Sequence, residues 1–245
     1  MFAVTLRCRL ATNQYLVRLS HALCRFWNLL TLHTPAARRR RARSGAALSA
    51  LACIGPLQGQ GRAPVARLPF GKYTMDYNGC EVLASYNALL LLGDPLPLGA
   101  VAAWYELRGL FLAGAWGTHV LAIPRFFRAR GYAPEVLYAS SVRAPEDYDA
   151  AFDGAQAAVF SFWNSAQRLR AGVHTVSLSH RGGRIAIDNL HSLDTRPNEA
   201  YASIADFIRG SGIAPIVLTT LRPRRAGGPA RPAGRREGPE DPKKG

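Results

Sequence analysis

The order of patterns along the chain predicts an α+β fold. Three stretches with helical spacing of apolar residues come first, over 80–92, 98–112 and 118–130. Five short runs rich in Val, Ile, Phe and Thr follow, over 135–138, 157–163, 173–179, 184–190 and 214–220. Helices first and strands later indicate helices packed on an antiparallel sheet; a parallel sheet would need the two to alternate.

Each element has its own signal. The run CEVLASYNALLLL from Cys80 to Leu92 reads as a buried helix, closed by Gly93 and then Pro95. The second helical stretch carries Trp104 and Tyr105, and the third closes at Gly131, with Pro124 expected to kink or break it. The β runs have strand length and β-branched or aromatic content. A short helix over 201–209 separates the last two.

Length and composition bound the rest. With 245 residues, 48% of them hydrophobic, the chain supports one ordinary core with extensions. No run approaches the roughly 18 uninterrupted apolar residues of a membrane span. Cysteines stand at 8, 24, 53 and 80 without a CxxC pair, which argues against a zinc site or a disulfide scaffold.

The formal net charge of +15 resides in the flanks. Residues 1–72 contain 12 Arg or Lys and no Asp or Glu, and residues 222–245 contain 8 basic and 3 acidic residues. The middle, 73–221, has 11 basic and 13 acidic residues. A dedicated nucleic-acid domain would carry its basic patch on the fold, so no specific nucleic-acid partner is expected. Residues 1–67 read as a basic, poorly ordered leader, with a start placed too far upstream as one source of such a segment. Within it, Leu16, Leu19, Leu23, Phe26, Trp27 and Leu30 recur at helical spacing with Arg18 and Arg25, the pattern of a basic amphipathic helix. The block Arg38–Arg41 ahead of a small apolar run faintly resembles a signal segment but lies far from Met1. The expected location is the cytoplasm; a genuine signal over 38–60 would mean export. The domain is assigned to 68–221, and 222–245, rich in Pro, Gly and Arg, is expected to be a disordered basic tail. A monomer is expected.

Cys80 is the candidate nucleophile. It follows Asn78-Gly79 and opens the apolar helix. A helix N-terminus carries partial positive charge and free N–H groups, which favour a thiolate and can hold an oxyanion. The alternative is a buried structural thiol. Near the C-terminus, Gly182-Gly183 reads as a two-residue hairpin turn. Pairing Arg181 with Arg184 sets Leu178 opposite Ile187 and Val176 opposite Asn189. Strand alternation then puts His174, Val176 and Leu178 on one apolar face with Ile185, Ile187 and Asn189. One extra turn residue would put Asp188 there instead. A carboxamide beside an imidazole fixes its tautomer and orientation, the third role in a nucleophile–base–orienter set.

Cys, His and Asn in this order and setting resemble the papain-like cysteine peptidases, above all the small bacterial double-glycine leader peptidases of bacteriocin exporters. Asn78-Gly79-Cys80-Glu81-Val82-Leu83-Ala84 looks like their G-C-E-x-x-[SA] helix start, and Val173-His174-Thr175-Val176 like their G-H-x-V strand, with Gly172 one residue earlier than usual. Ile187-Asp188-Asn189 takes the place of the strand bearing Asn or Asp. The resemblance covers about 68–221 and implies a papain-like fold and a peptide or amide substrate. It implies Cys80 as nucleophile, His174 as base and then acid, and Asn189 as orienter. No cofactor and no metal are implied.

The sequence departs from that family at two points. No glutamine lies between Gly61 and Cys80, so Asn78 (or Tyr77) becomes the candidate side-chain oxyanion donor beside the Cys80 N–H. Leu190 follows Asn189 where the nearest relatives have Asp-Pro. The alternative is therefore a catalytically inactive papain-like fold acting in peptide binding or maturation. Glu81 receives no chemical role. His119 is expected at the surface or as a cap, and His180 and His191 lack the carboxylates that would complete a metal site with His174.

Overall fold

A computed structural model describes residues 6–223 except 32, 50, 52–54, 63 and 191–199. The chain opens with helices α1 (Leu6–Ala11), α2 (Gln14–Thr31) and α3 (Pro35–Ser49). A small hairpin, β1 (Pro69–Phe70) and β2 (Tyr73–Thr74), leads into α4 (Met75–Asn78), α5 (Cys80–Leu91), α6 (Leu98–Arg108) and α7 (Ala122–Ala129). Then come β3 (Glu135–Tyr138), α8 (Glu146–Phe152), β4 (Ala157–Trp163), β5 (Val173–Arg181) and β6 (Arg184–Asp188). The order ends with β7 (Ala200–Tyr201), α9 (Ile204–Ser211) and β8 (Ala214–Leu221). The main sheet is six-stranded in the order β3-β8-β4-β5-β6-β7, and every pairing in it is antiparallel. Mixed α+β, with N-terminal helices on a C-terminal antiparallel sheet, is thus the architecture.

Both faces of the sheet are covered. On one side Val82, Leu83 and Leu89 of α5 join Val101, Phe126, Val159 and Leu221 in one core. On the other, Phe160, Phe162, Val176, Ile187 and Leu218 pack with Phe152 of α8 and Phe207 of α9. Double coverage explains why β4 is buried along its length without alternation, with Ser161 its one polar residue. Each fully buried leucine or phenylalanine contributes about 1.5–3 kcal/mol.

The hairpin register is the expected one: Arg181 pairs with Arg184, Leu178 with Ile187 and Ser177 with Asp188. Its turn residues Gly182 and Gly183 have φ of 58° and 73°, the left-handed pair that a two-residue turn requires. Pro124 does not break its helix. It falls in the first turn of α7, where no N–H has an intrahelical acceptor. Helix α8 has no counterpart in the expected elements, although Pro145 followed by Glu146, Asp147 and Asp149 is a helix-start signal.

The expectation of a poorly ordered leader over 1–67 needs correction for its described part. Three helices occupy 6–49, and Leu48 and Val65 belong to the α5–α7 core. Ser44 Oγ of α3 donates to Glu106 Oε1 of α6 at 2.9 Å, and the Gly71 N–H donates to the same oxygen at 3.1 Å. Residues 224–245 of the expected tail lie outside the described residues. Among the described residues, no helix is long and apolar enough to cross a membrane.

Candidate active site

The sulfur of Cys80 stands at the first residue of α5. Helix α4 ends immediately before it, and Gly79 links the two with φ −91° and ψ −3°. Glycine is required there by close approach: a Cβ would lie 2.4 Å from the Met75 carbonyl oxygen. Cys80 is therefore held at a helix start by the tight joint behind it. The side chain is only 5% exposed.

Helix α5 lies against β5, and the sulfur faces the backbone N–H of Thr175. The thiol donates to Glu81 Oε2 at 3.1 Å, and Thr175 Oγ1 reaches Glu81 Oε1 at 3.4 Å. Glu81 is buried, and burial above all raises its pKa to about 7. The Cys80 pKa is raised well above its ordinary value, first by burial, then by the Glu81 charge and hydrogen bond. The Thr175 and Glu81 N–H groups act in the opposite direction.

His174 is buried on β5, paired with Phe162 of β4 and in edge contact with its ring at 6.0 Å. Its Nε2 lies 2.6 Å from the backbone carbonyl oxygen of Asn189. A carbonyl only accepts, so Nε2 carries a proton in this contact. No hydrogen bond joins Cys80 and His174 among the described residues; the sulfur's side-chain partner is Glu81.

Asn189 follows β6 in the left-handed region, with φ of 65°. The carboxamide does not hold the imidazole as the register argument expected; the backbone carbonyl does. The side chain ties the surroundings instead. Its Oδ1 accepts from the Gln60 N–H at 3.0 Å, and its Nδ2 donates to the Thr175 carbonyl at 3.4 Å. Asn78 is buried, and one N–H of its Nδ2 donates to the Phe70 carbonyl of β1 at 3.3 Å. Tyr77 is 59% exposed and packs on Tyr73.

Four residues of the neighbourhood escaped the sequence reading. Gln58 Oε1 accepts from the Asn189 N–H at 2.7 Å, while its Nε2 donates to Asp188 Oδ1 at 2.8 Å. Gln60 Nε2 donates to the Asp76 carbonyl at 2.7 Å. Asn87 of α5 clamps Leu57 at both backbone groups, each at 2.8 Å. Glu81 is the fourth. Signals existed: Asn87 interrupts an apolar helix, and two glutamines flank a glycine in Leu57-Gln58-Gly59-Gln60. A polar residue inside a buried helix must find a partner.

The other histidines lie elsewhere. His119 is half-buried, accepts at Nδ1 from the Leu121 N–H at 3.1 Å, and stacks on His21 of α2 at 4.9 Å. His180 stacks on Phe152 at 4.3 Å, and His191 lies outside the described residues. No cluster of three metal-ligating side chains occurs among the described residues. Comparison with family models, with curated proteins and with solved structures gives no match from which a family could be assigned.

Proposed function

We propose that the chain is a cysteine hydrolase with a papain-like Cys-His-Asn arrangement, cutting a peptide or amide bond, and that the state described is its closed form. The observation that carries this is the His174 Nε2 contact with the Asn189 carbonyl. With Nε2 donating to that carbonyl, the neutral ring of this reading would use Nδ1 to take a proton from a thiol, on the strand whose next residue, Thr175, lies beside Cys80. Cys80 is the nucleophile in this reading, and His174 is base and then acid. Asn189 orients the ring through its main chain. The oxyanion falls to the Cys80 N–H at the start of α5, where N–H groups lack intrahelical acceptors.

Turnover in this reading requires opening. The sulfur is buried and hydrogen-bonded to Glu81, and residues 57–60 are tied to Asn87, Asp188, Asn189 and Asp76. Moving that segment would admit substrate and water. The ring of His174, which shares its sheet face with Phe162 and Val176 away from α5, would also have to swing round the strand edge to reach the sulfur.

A second reading, a non-catalytic protein that keeps the fold for peptide binding or maturation, is favoured by one observation: Cys80 is held as a neutral thiol beside a carboxylate. Incubation with a diverse peptide pool and mass-spectrometric detection of products separates the two. The hydrolase reading expects cleavage products that disappear in Cys80→Ala and in His174→Ala while both variants keep the wild-type melting profile. Products unchanged in Cys80→Ala, or none from any pool after the 57–60 segment is released by Asn87→Ala, would establish the second reading.

A further inference from the structure

Helix α2 is mounted with its apolar side outward. The residues it turns to the domain are mostly small or polar: Ser20 Oγ meets His119 Nε2 at 2.9 Å, and His21 stacks on His119. Cys24 Sγ points at the Gly109 and Leu110 carbonyls at 3.8 and 3.6 Å, and Val17 is the other buried position. The opposite side shows Leu16, Leu19, Leu23, Phe26, Trp27 and Leu30 to solvent, between 39% and 62% exposed. A surface helix ordinarily turns such a stripe to the core. A contiguous exposed patch of this kind marks an interaction site.

The charge around the patch has one sign. Arg25, Arg108 and Arg125 line a groove beside Phe26, Leu29 and Leu107, between α2 and the α6–α7 side of the domain. No carboxylate lines that groove, and no ion pair engages these three arginines among the described residues. Burial, and then the charges of Arg25 and Arg108, lower the Arg125 pKa, as expected of guanidinium groups crowded without a counter-charge. Arg38, Arg39 and Arg43 are exposed on α3, which follows directly.

We propose that α2 is a membrane-surface helix: it lies in the interface of an anionic lipid bilayer, with the apolar stripe among the acyl chains and the Arg25–Arg108–Arg125 groove on lipid phosphates. The alternatives match the surface less well. A second copy would oppose arginine to arginine, because 1–72 contain no Asp or Glu. Nucleic acid would satisfy the arginines and leave the leucine stripe in water. The basic 222–245 segment has neither the apolar residues nor the net negative charge to cover it. Amphipathic helices with arginines beside Leu, Phe and Trp bind in the plane of the interface, by apolar burial plus attraction to anionic lipid. This inference is independent of the cysteine site.

The test is co-sedimentation of the full chain with phosphatidylcholine vesicles, with and without phosphatidylglycerol. Binding should need the anionic lipid and should blue-shift tryptophan emission, a shift lost in Trp27→Phe. Leu23→Asp with Phe26→Asp should weaken binding by at least about tenfold. Arg25→Gln with Arg125→Gln should weaken it by about fivefold per arginine. Circular dichroism should stay unchanged in the apolar pair, since both side chains are already exposed. Absence of binding, or binding unaffected by the apolar pair, would overturn the proposal. So would self-association abolished by that pair without lipid, which would assign the stripe to a second copy. Retention on duplex DNA that ignores the apolar pair, in a chain that does not bind vesicles, would assign the arginines to nucleic acid.

Discussion

His174 Nε2 and the Asn189 backbone oxygen are 2.6 Å apart, and Asn189 reaches that position with φ of 65°. The orienting group is a carbonyl placed by a left-handed residue. Conformation at 189 therefore matters separately from the carboxamide. Asn189→Gly keeps the left-handed geometry and the carbonyl, whereas Asn189→Ala pays about 1–2 kcal/mol for the same backbone. Both lose the bonds to Gln60 and Thr175, at about 1 kcal/mol each. Chemical denaturation should place Ala below Gly, and the ring signals of His174 should stay near wild type in Gly alone.

Glu81 gives the fold a pH dependence. Its folded pKa of about 7 exceeds the ordinary 4.5 because of burial. Its contribution to stability is complete below about 4.5 and is lost as pH rises through about 7, up to about 3 kcal/mol in all. Glu81→Gln should flatten this part of the stability–pH curve and make Cys80 easier to deprotonate. Denaturant titrations at pH 5 and 8, run on both proteins, measure it.

The α2 docking titrates in the opposite sense. Burial lowers the pKa of His21 from 6.5 to about 4 and that of His119 to about 3. Depressed histidines stabilise above about 6.5, and the contribution is lost as pH falls towards 4. Hydrogen exchange over 14–31, corrected for intrinsic rates, should lose protection in that window before the α5 amides do. His21→Phe with His119→Phe should remove the effect.

Gly79 fixes where the sulfur sits. Its missing side chain admits the Met75 carbonyl at 2.4 Å from the Cβ position. Gly79→Ala should cost about 1–3 kcal/mol through overpacking against main chain, and thermal melting reads it directly.

Sequence patterns reached the elements whose partners are local. The Arg181–Arg184 pairing followed from two glycines, and Cys80 at the start of α5 followed from Asn78-Gly79 and the apolar run behind it. Single-residue geometry at the site was less accessible. The left-handed turn at Asn189 swaps carboxamide for carbonyl beside His174; asparagine tolerates that φ better than most residues, but strand alternation alone carries the extended geometry on through it. Gln58, Gln60 and Asn87 act across about 30 or more residues of chain, so their roles appear only once the chain is folded. Helix α2 shows the same limit: its periodicity was legible, but which face would dock depended on His119 and the Gly109 and Leu110 carbonyls.

The most direct test of the proposed mechanism is the pH dependence of iodoacetamide alkylation at Cys80. It is read on the Cys80 peptide by mass spectrometry, in the full chain, in Asn87→Ala and in Asn87→Ala with His174→Ala. The closed chain should react slowly, with a midpoint above the ordinary thiol value of about 8.5. Releasing the 57–60 segment should raise the rate and bring the midpoint below that value, and removing His174 should reverse the shift. A midpoint that stays high after release and ignores His174 would contradict the mechanism and leave Cys80 a structural thiol.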